Sequence, residues 1–123
     1  MIDLRFSEAE LEQRRDHITA FIRDQVEAAG ADGVVLGLSG GIDSTLTGYL
    51  AVETLGAENV HGLVLPATVS SEDHMTDAEW VAQELEITYD VIEIEPLIDS
   101  LLSAYPEAEG DHVAVGNARA RLR

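Results

Sequence analysis

Apolar positions along the chain recur with two alternating periods, and each period predicts one kind of element. After a capping box at Ser7 and Glu10, apolar residues spaced three, four and seven apart predict an amphipathic helix ending near Gly30. The members of this stripe are Leu11, Ile18, Phe21, Ile22 and Val26. A short apolar run at 33–38 follows and is typical of a buried parallel strand.

The same alternation continues to residue 123. Helices are predicted over about 44–55, after a second capping box at Thr76 and Glu79, from Pro96, and from about Val113, and strands over 60–65 and 88–94. Trp80, on the helix that begins at this second capping box, is expected to lie in the core. The order α-β-α-β-α-β-α predicts a doubly wound α/β fold with a parallel sheet, formed by a single domain over 1–123.

Length and composition restrict the class of protein. A chain of 123 residues with 46% hydrophobic content supports one globular core. No apolar run approaches the roughly 20 residues of a membrane helix, and the first residues lack a secretory pattern. Cysteine is absent, which excludes disulfides and cysteine-ligated zinc. A cytoplasmic protein without a membrane partner is therefore expected.

Acidic residues dominate the charge. Asp and Glu number 24 against seven cations, all of them arginine, and the formal net charge is -17. Such a surface repels itself in dilute salt and is screened in molar salt. The composition favours a haloarchaeal protein that works in concentrated salt. Binding of nucleic acid is disfavoured, because no extended basic patch exists.

The predicted chemistry lies in a glycine-rich turn between the first strand and the second helix. Gly40 and Gly41 allow close approach of the backbone to phosphate oxygens, and the following helix start adds N–H donors and a favourable dipole. Ser39 and Ser44 offer hydroxyl groups. Asp43 would repel phosphates directly, but it is suited to hold a Mg²⁺ ion that bridges to a nucleotide.

Three other loop motifs share features with this segment. The Walker loop requires lysine, which the chain lacks, and the glycine spacing does not match the dinucleotide fingerprint. The segment 37–41 does match G-x-S-x-G, the nucleophile elbow of α/β-hydrolases, with Asp99 and His112 following in hydrolase order. The sequence is therefore also compatible with a serine hydrolase that has Ser39 as its nucleophile.

The segment 39–44, Ser-Gly-Gly-Ile-Asp-Ser, resembles the pyrophosphate-binding loop of the N-type ATP pyrophosphatases. Within that superfamily the chain is most similar to the ammonia-dependent NAD synthetases. The similarity rests on 37–44, on the helix sequence 49–53, on Leu-Val-Leu-Pro at 63–66, on 70–71 with 77–78, and on Gly-Asn-Ala-Arg-Ala-Arg-Leu-Arg at 116–123.

This resemblance implies an adenine nucleotide alpha hydrolase-like (Rossmann-like) fold and an ATP-dependent amidation. Deamido-NAD would be adenylated by ATP with loss of pyrophosphate, and ammonia would then displace AMP to give NAD. The ATP-binding residues implied are Gly37, Leu38, Ser39, Gly40, Gly41, Ile42, Asp43 and Ser44. Asp43 would also ligate Mg²⁺, Arg121 would contact deamido-NAD, and Arg119 and Arg123 are weaker candidates. A homodimer formed through the first helix is also implied.

Family members are considerably longer and carry further site residues beyond this arginine segment. The sequence is therefore expected to be the truncated N-terminal portion of the family domain. Two alternatives stay open: another N-type ATP pyrophosphatase, such as a GMP synthetase or a tRNA-thiolating enzyme, and an ATP-binding fragment that is inactive alone.

Overall fold

The computed structural model of the chain describes residues 5–66 and 76–122, and within them helices and parallel strands alternate. The elements are α1 (Glu8–Ala28), β1 (Val34–Leu38), α2 (Ile42–Leu55), β2 (Val60–Val64), α3 (Asp77–Glu84), β3 (Thr88–Val91), α4 (Glu95–Ala104) and α5 (His112–Leu122). Short 3-10 turns occur at Ala57–Asn59 and Pro106–Ala108. The predicted α/β class is confirmed.

The three strands form one parallel sheet in the order β1-β2-β3. Val34 pairs with Val60 and Leu38 with Val64, while Val64 in turn pairs with Val91. Because all strands run the same way, their carboxyl ends meet at one edge of the sheet. The glycine-rich loop after β1 therefore opens onto the same edge as the segment after β2.

One face of the sheet carries the main core. Successive residues of a strand point to opposite faces, and in β2 the buried positions alternate with half-buried ones. Helices α2 and α3 contribute to the cluster that covers this face, which consists of Leu38, Ala51, Val60, Val64, Ala78, Ala82, Leu85 and Ile87. On the opposite face Val35 is 64% exposed, so the described residues bury this apolar strand on one side only.

Side chains on that second face form hydrogen bonds across the strands. His61 bridges β2 to β3, with its Nδ1 2.7 Å from Thr88 Oγ1 and its Nε2 2.8 Å from Asp90 Oδ2. This arrangement gives His61 a cross-strand structural role. Within the described ranges, no group of three or more His, Cys, Asp or Glu side chains has the geometry of a metal site.

Trp80 does not lie in the core, so that prediction is wrong. Its side chain is 58% exposed, whereas Ala78, Ala82 and Leu85 of the same segment are buried. These three residues recur at spacings of four and three, which is the spacing of one helix face. Trp80 is two positions from Ala78, and two positions correspond to about 200° around the helix. The inward face is thus built from alanine rather than from the largest apolar side chain.

Helix α1 begins at the predicted capping box, where Ser7 Oγ accepts the Glu10 N–H at 3.2 Å. It packs against α2, to which Arg15 is joined by an ion pair between its Nε and Glu53 Oε1 at 3.1 Å. The apolar stripe is only partly covered. Leu11, Ile18 and Phe21 remain exposed, while Ile22 and Val26 are half-buried.

Several element boundaries differ from the predicted ones, and the differences at α2 and β3 reach two residues or more. Helix α2 begins at Ile42, two residues before the predicted start at 44. Strand β3 ends at Val91 rather than at 94, although Ile92 N–H still bonds Val64 O at 2.8 Å. The polar stretch 67–75, including His74 and the pair at 70–71, lies outside the described residues. No described helix is both long enough and apolar enough to cross a membrane.

Candidate nucleotide-binding site

The predicted phosphate loop lies where β1 passes directly into α2. Gly40 has a φ of 83°, a left-handed conformation that L side chains rarely adopt. Gly41 returns to extended backbone as the N-cap of α2, and Ile42 is the first helical residue. Only three residues thus separate the last residue of the strand from the helix, which brings the helix start to the carboxyl edge of the sheet.

A second helix touches this turn. A Cβ atom on Gly40 would lie 2.7 Å from Asp77 Cβ and 3.1 Å from Ala78 N, at the start of α3. Both distances are shorter than a Cβ atom normally tolerates, so glycine is required here for contact as well as for conformation. The N-terminal ends of α2 and α3 consequently meet at the loop.

Two serine hydroxyls close the loop on itself. Ser44 Oγ accepts the Ser39 N–H at 3.1 Å and lies 3.0 Å from Ser39 Oγ. Ser39 Oγ in turn accepts the Gly41 N–H at 3.2 Å. These bonds fix the ends of the loop relative to each other and bring Ser39, Gly41 and Ser44 together.

The start of α2 differs chemically from the starts of α1 and α3. Ser7 and Thr76 each cap their helix with a side-chain oxygen and a complete capping box. Gly41 has no side chain, and α2 carries no side-chain cap. Backbone N–H groups in the first turn of a helix have no intrahelical partner and favour anions. The α2 start therefore has the donors that an anionic ligand needs.

A shallow cleft of about 220 Å³ opens beside the loop. It is lined by Gly37, Leu38 and Ser39 from the β1 side and by Leu63 and Leu65 from the β2 side. In open parallel sheets, ligands bind outside the carboxyl ends of the strands. A cleft with this apolar lining suits a nucleotide base or sugar whose phosphates lie on the loop.

Asp43 lies exposed in the first turn of α2. Mg²⁺ is usually held by one or two carboxylates together with substrate phosphates and water, rather than by a cage of protein ligands. A single carboxylate on the phosphate-binding turn fits that requirement. The residues present are thus compatible with a magnesium ion that is held jointly by Asp43 and a nucleotide.

Arg121 lies on α5, and its side chain is exposed. The helix α5 contacts α4. Among the described residues no hydrogen bond or ion pair joins Arg121 to the phosphate loop, so the structure does not unite these two predicted sites. Arg123 lies outside the described residues, as does the side chain of Arg119.

The geometry disfavours the serine-hydrolase alternative. In a catalytic triad a histidine accepts the proton of the serine hydroxyl. The described bonds of Ser39 Oγ are instead with Ser44 and Gly41. Asp99 lies on α4 and His112 on α5, and no described hydrogen bond joins either one to Ser39.

Comparison with known proteins identifies the family. The family model of NAD synthase matches residues 15–123, which is most of the chain. The chain belongs to the NAD synthase family. This membership decides between the branches of the N-type pyrophosphatases that the loop alone leaves open, and disfavours a GMP synthetase or a tRNA-thiolating enzyme.

Curated relatives of the NAD synthase family agree. The chain is 60% identical over 122 residues to the NH(3)-dependent NAD(+) synthetase of Halobacterium salinarum, covering 99% of this chain and 46% of that protein. It is 48% identical over 107 residues to the same enzyme of Hyperthermus butylicus, covering 86% and 38%. The chain thus spans about half the length, or less, of these curated relatives.

Solved structures give the same result. The NH3-dependent NAD synthetase of Campylobacter jejuni, in complex with nitrate, superposes with a TM-score of 0.78 at 34% identity, covering 91% of this chain and 48% of that one. The glutamine-dependent NAD+ synthetase of Acinetobacter baumannii, in complex with ADP, gives 0.78 at 30% identity, covering 98% and 23%. The NMN synthetase of Francisella tularensis gives 0.75 at 34% identity, covering 97% and 48%. The two NAD synthetase neighbours confirm the predicted adenine nucleotide alpha hydrolase-like fold.

Two features of the site were not predicted from the sequence. Contact between Gly40 and the start of α3 joins residues far apart in the chain, and periodicity carries no information about such contacts. Leu63 and Leu65 line the cleft because of the parallel register, in which Leu63 pairs with Gly37. The alternation of apolar positions in β1 and β2 is a signal from which this register could have been inferred. The register in turn places Leu63 beside the loop.

We expect Gly40→Ala to weaken ATP binding and to destabilise the protein. The new methyl group would strain the backbone and overlap Asp77, and overpacking of this kind costs about 1–3 kcal/mol. Chemical denaturation and ATP titration in molar KCl measure both effects. Gly110→Ala is the matched control, because a Cβ there meets nothing within 4 Å. Unchanged ATP affinity in Gly40→Ala would contradict the assigned role of this turn.

Proposed function

We propose that the chain carries the ATP-binding loop of an ammonia-dependent NAD synthetase. The observation that carries this proposal is the uncapped, glycine-bounded start of α2 in a chain of the NAD synthase family. The reaction would consume ATP, deamido-NAD and ammonia. Its products would be NAD, AMP and pyrophosphate.

The chemistry explains why a phosphate loop is needed. A carboxylate is a poor acceptor for ammonia, because its leaving group would be an oxide ion. Attack of the nicotinate carboxylate oxygen on the α-phosphorus of ATP breaks the bond to pyrophosphate and forms an acyl adenylate. Ammonia then attacks the acyl carbon, AMP leaves with the C–O bond electrons, and the nitrogen loses a proton. Each step is promoted by donors that stabilise charge on the departing phosphate.

Residues of this chain would perform binding and orientation. Gly37 to Ser44 would hold the ATP phosphates through backbone N–H groups and the serine hydroxyls. Asp43 would hold Mg²⁺, which neutralises phosphate charge when bound. Positioning two anionic reactants in line is a large part of the barrier reduction in phosphoryl and adenylyl transfer. We also propose a cytoplasmic location, where ATP and ammonia are available together.

Nicotinate mononucleotide is the alternative acid substrate. One structural neighbour is an NMN synthetase, whose name indicates the mononucleotide rather than the dinucleotide product. The same amidation on nicotinate mononucleotide would use the same ATP loop. We favour deamido-NAD because the curated relative with 60% identity is an NAD(+) synthetase.

Pyrophosphate release tests the proposed reaction. The chain is incubated in molar KCl with ATP, Mg²⁺ and ammonium, and deamido-NAD or nicotinate mononucleotide is added in parallel samples. Release that depends on deamido-NAD supports the proposal, and Asp43→Asn should lower it by about a hundredfold. Asp24→Asn, on exposed α1, is the control. Pyrophosphate release at the same rate when both deamido-NAD and nicotinate mononucleotide are left out would contradict an amidation. A folded chain that does not bind ATP would also contradict it.

Arg121 is proposed to bind the acid substrate. Charge-assisted hydrogen bonds from arginine to carboxylate or phosphate are worth about 1.5–3 kcal/mol, so Arg121→Ala should weaken deamido-NAD binding by at least about tenfold. ATP affinity should stay within about twofold, because this role concerns the other substrate. Arg23→Ala on α1 is the control. Equal loss of ATP and deamido-NAD affinity in a folded Arg121→Ala chain would refute the assignment.

The exposed apolar residues of α1 support a proposed homodimer. Leu11, Ile18 and Phe21 stay 52%, 40% and 59% exposed after folding. A charge at Phe21 would be buried without a partner in such an interface, so Phe21→Glu should produce a monomer in sedimentation experiments in molar KCl. Val113→Glu changes a residue that is 73% exposed on α5, and this variant should sediment with the same mass as the wild-type dimer. A wild-type chain that sediments as a monomer would contradict the dimer.

A further inference from the structure

The carbonyl oxygen of Gly41 accepts three hydrogen bonds, and two of them come from Thr45. Thr45 Oγ1 donates at 2.7 Å and Thr45 N–H at 3.1 Å, while Ser44 Oγ donates at 3.4 Å. The bond from Thr45 Oγ1 is the shortest of the three. Thr45 follows the loop motif, which ends at Ser44, and belongs to the helix rather than to the loop.

The orientation of this carbonyl group matters for a bound anion. In a trans peptide the C=O and the next N–H point in opposite directions, so fixing Gly41 C=O toward the helix makes Ile42 N–H point out of the helix start. Rotation of the same peptide would present a carbonyl oxygen to the ligand, and that oxygen repels phosphate. Glycine on the N-terminal side of this peptide places little restriction on such a rotation.

We propose that Thr45 is a positioning residue for ATP, which holds the Gly41–Ile42 peptide in the orientation that donates to phosphate. This inference rests on the proposed function of the loop. Thr45 acts through the peptide and need not touch the nucleotide. Ser44 supports the same carbonyl through its longer bond.

Threonine commonly bonds the carbonyl four residues earlier in a helix, and such bonds often have no function. The chain itself provides the comparison. Thr54 Oγ1 donates to Leu50 O at 2.7 Å, with the same spacing and distance but at the opposite end of α2. The two bonds differ in their acceptor, because Gly41 is the N-cap beside the loop and Leu50 is inside the helix.

ATP binding to Thr45→Val and Thr54→Val separates the two roles. Valine keeps the shape and removes the hydroxyl donor. Loss of one hydrogen bond in Thr45→Val should weaken ATP·Mg²⁺ binding about fivefold in calorimetry in molar KCl, and Thr54→Val should change it less than about twofold. Thr45→Ser should restore wild-type affinity. Thr45→Ala, which has high helix propensity and keeps the fold, should repeat the loss.

An NMR spectrum of the backbone amide groups separates a local effect on the Gly41–Ile42 peptide from a general loss of helix stability. In the ligand-free chain, Thr45→Val should shift the N–H resonances of Gly41 and Ile42, whereas Thr54→Val should not. Equal loss of ATP affinity in the two valine variants, or wild-type affinity in Thr45→Val, overturns the role of Thr45 alone. A folded wild-type chain without ATP affinity overturns the proposed function and this inference with it.

Discussion

The abrupt passage from strand to helix at Gly40 and Gly41 is the constraint on which the rest of the site depends. A left-handed residue followed by an extended one reverses the chain within three positions and leaves α2 without a side-chain cap. Any residue larger than glycine at position 40 would push α3 away from the loop. The same turn therefore allows the start of α3 to contact the loop and leaves backbone N–H donors at the start of α2 without a side-chain cap.

Under the proposed function, the acidic chain must bind ATP, which is itself a polyanion. A formal charge of -17 repels phosphate at long range in dilute solution. In molar salt the Debye length is about 3 Å, so distant carboxylates contribute little. Hydrogen bonds from backbone N–H groups act at contact distance and keep their strength. The loop and the acidic surface are thus compatible in concentrated salt, and binding should weaken as salt is removed.

Patterns that are local in the sequence predicted the fold well. Capping boxes at Ser7 and Thr76 begin helices as expected, because each box is complete within four residues. The prediction that Trp80 lies in the core was wrong. It rested on the tendency of large apolar side chains to be buried, whereas in α3 the small residues Ala78 and Ala82 are buried and allow the helix to pack closely on the sheet. The fold class followed from alternation of elements, which needs no knowledge of contacts between them.

The site was predictable in part. The loop residues are contiguous, so the motif identifies them together and the hydrogen bonds among Ser39, Gly41 and Ser44 agree with it. Contacts between distant segments, such as Gly40 with Asp77, depend on the packing of whole helices and have no local signal. Arg121 illustrates the same limit, because a motif names the residue but does not position its helix against the loop.

The most direct test is a crystal structure of the chain grown with Mg²⁺ and a non-hydrolysable ATP analogue in molar KCl. We expect phosphate oxygens within about 3 Å of backbone N–H groups at the start of α2, and the base in the cleft at Leu63 and Leu65. A nucleotide bound elsewhere, for example in the cleft of about 550 Å³ along α1 at Arg14 and His17, would contradict this expectation.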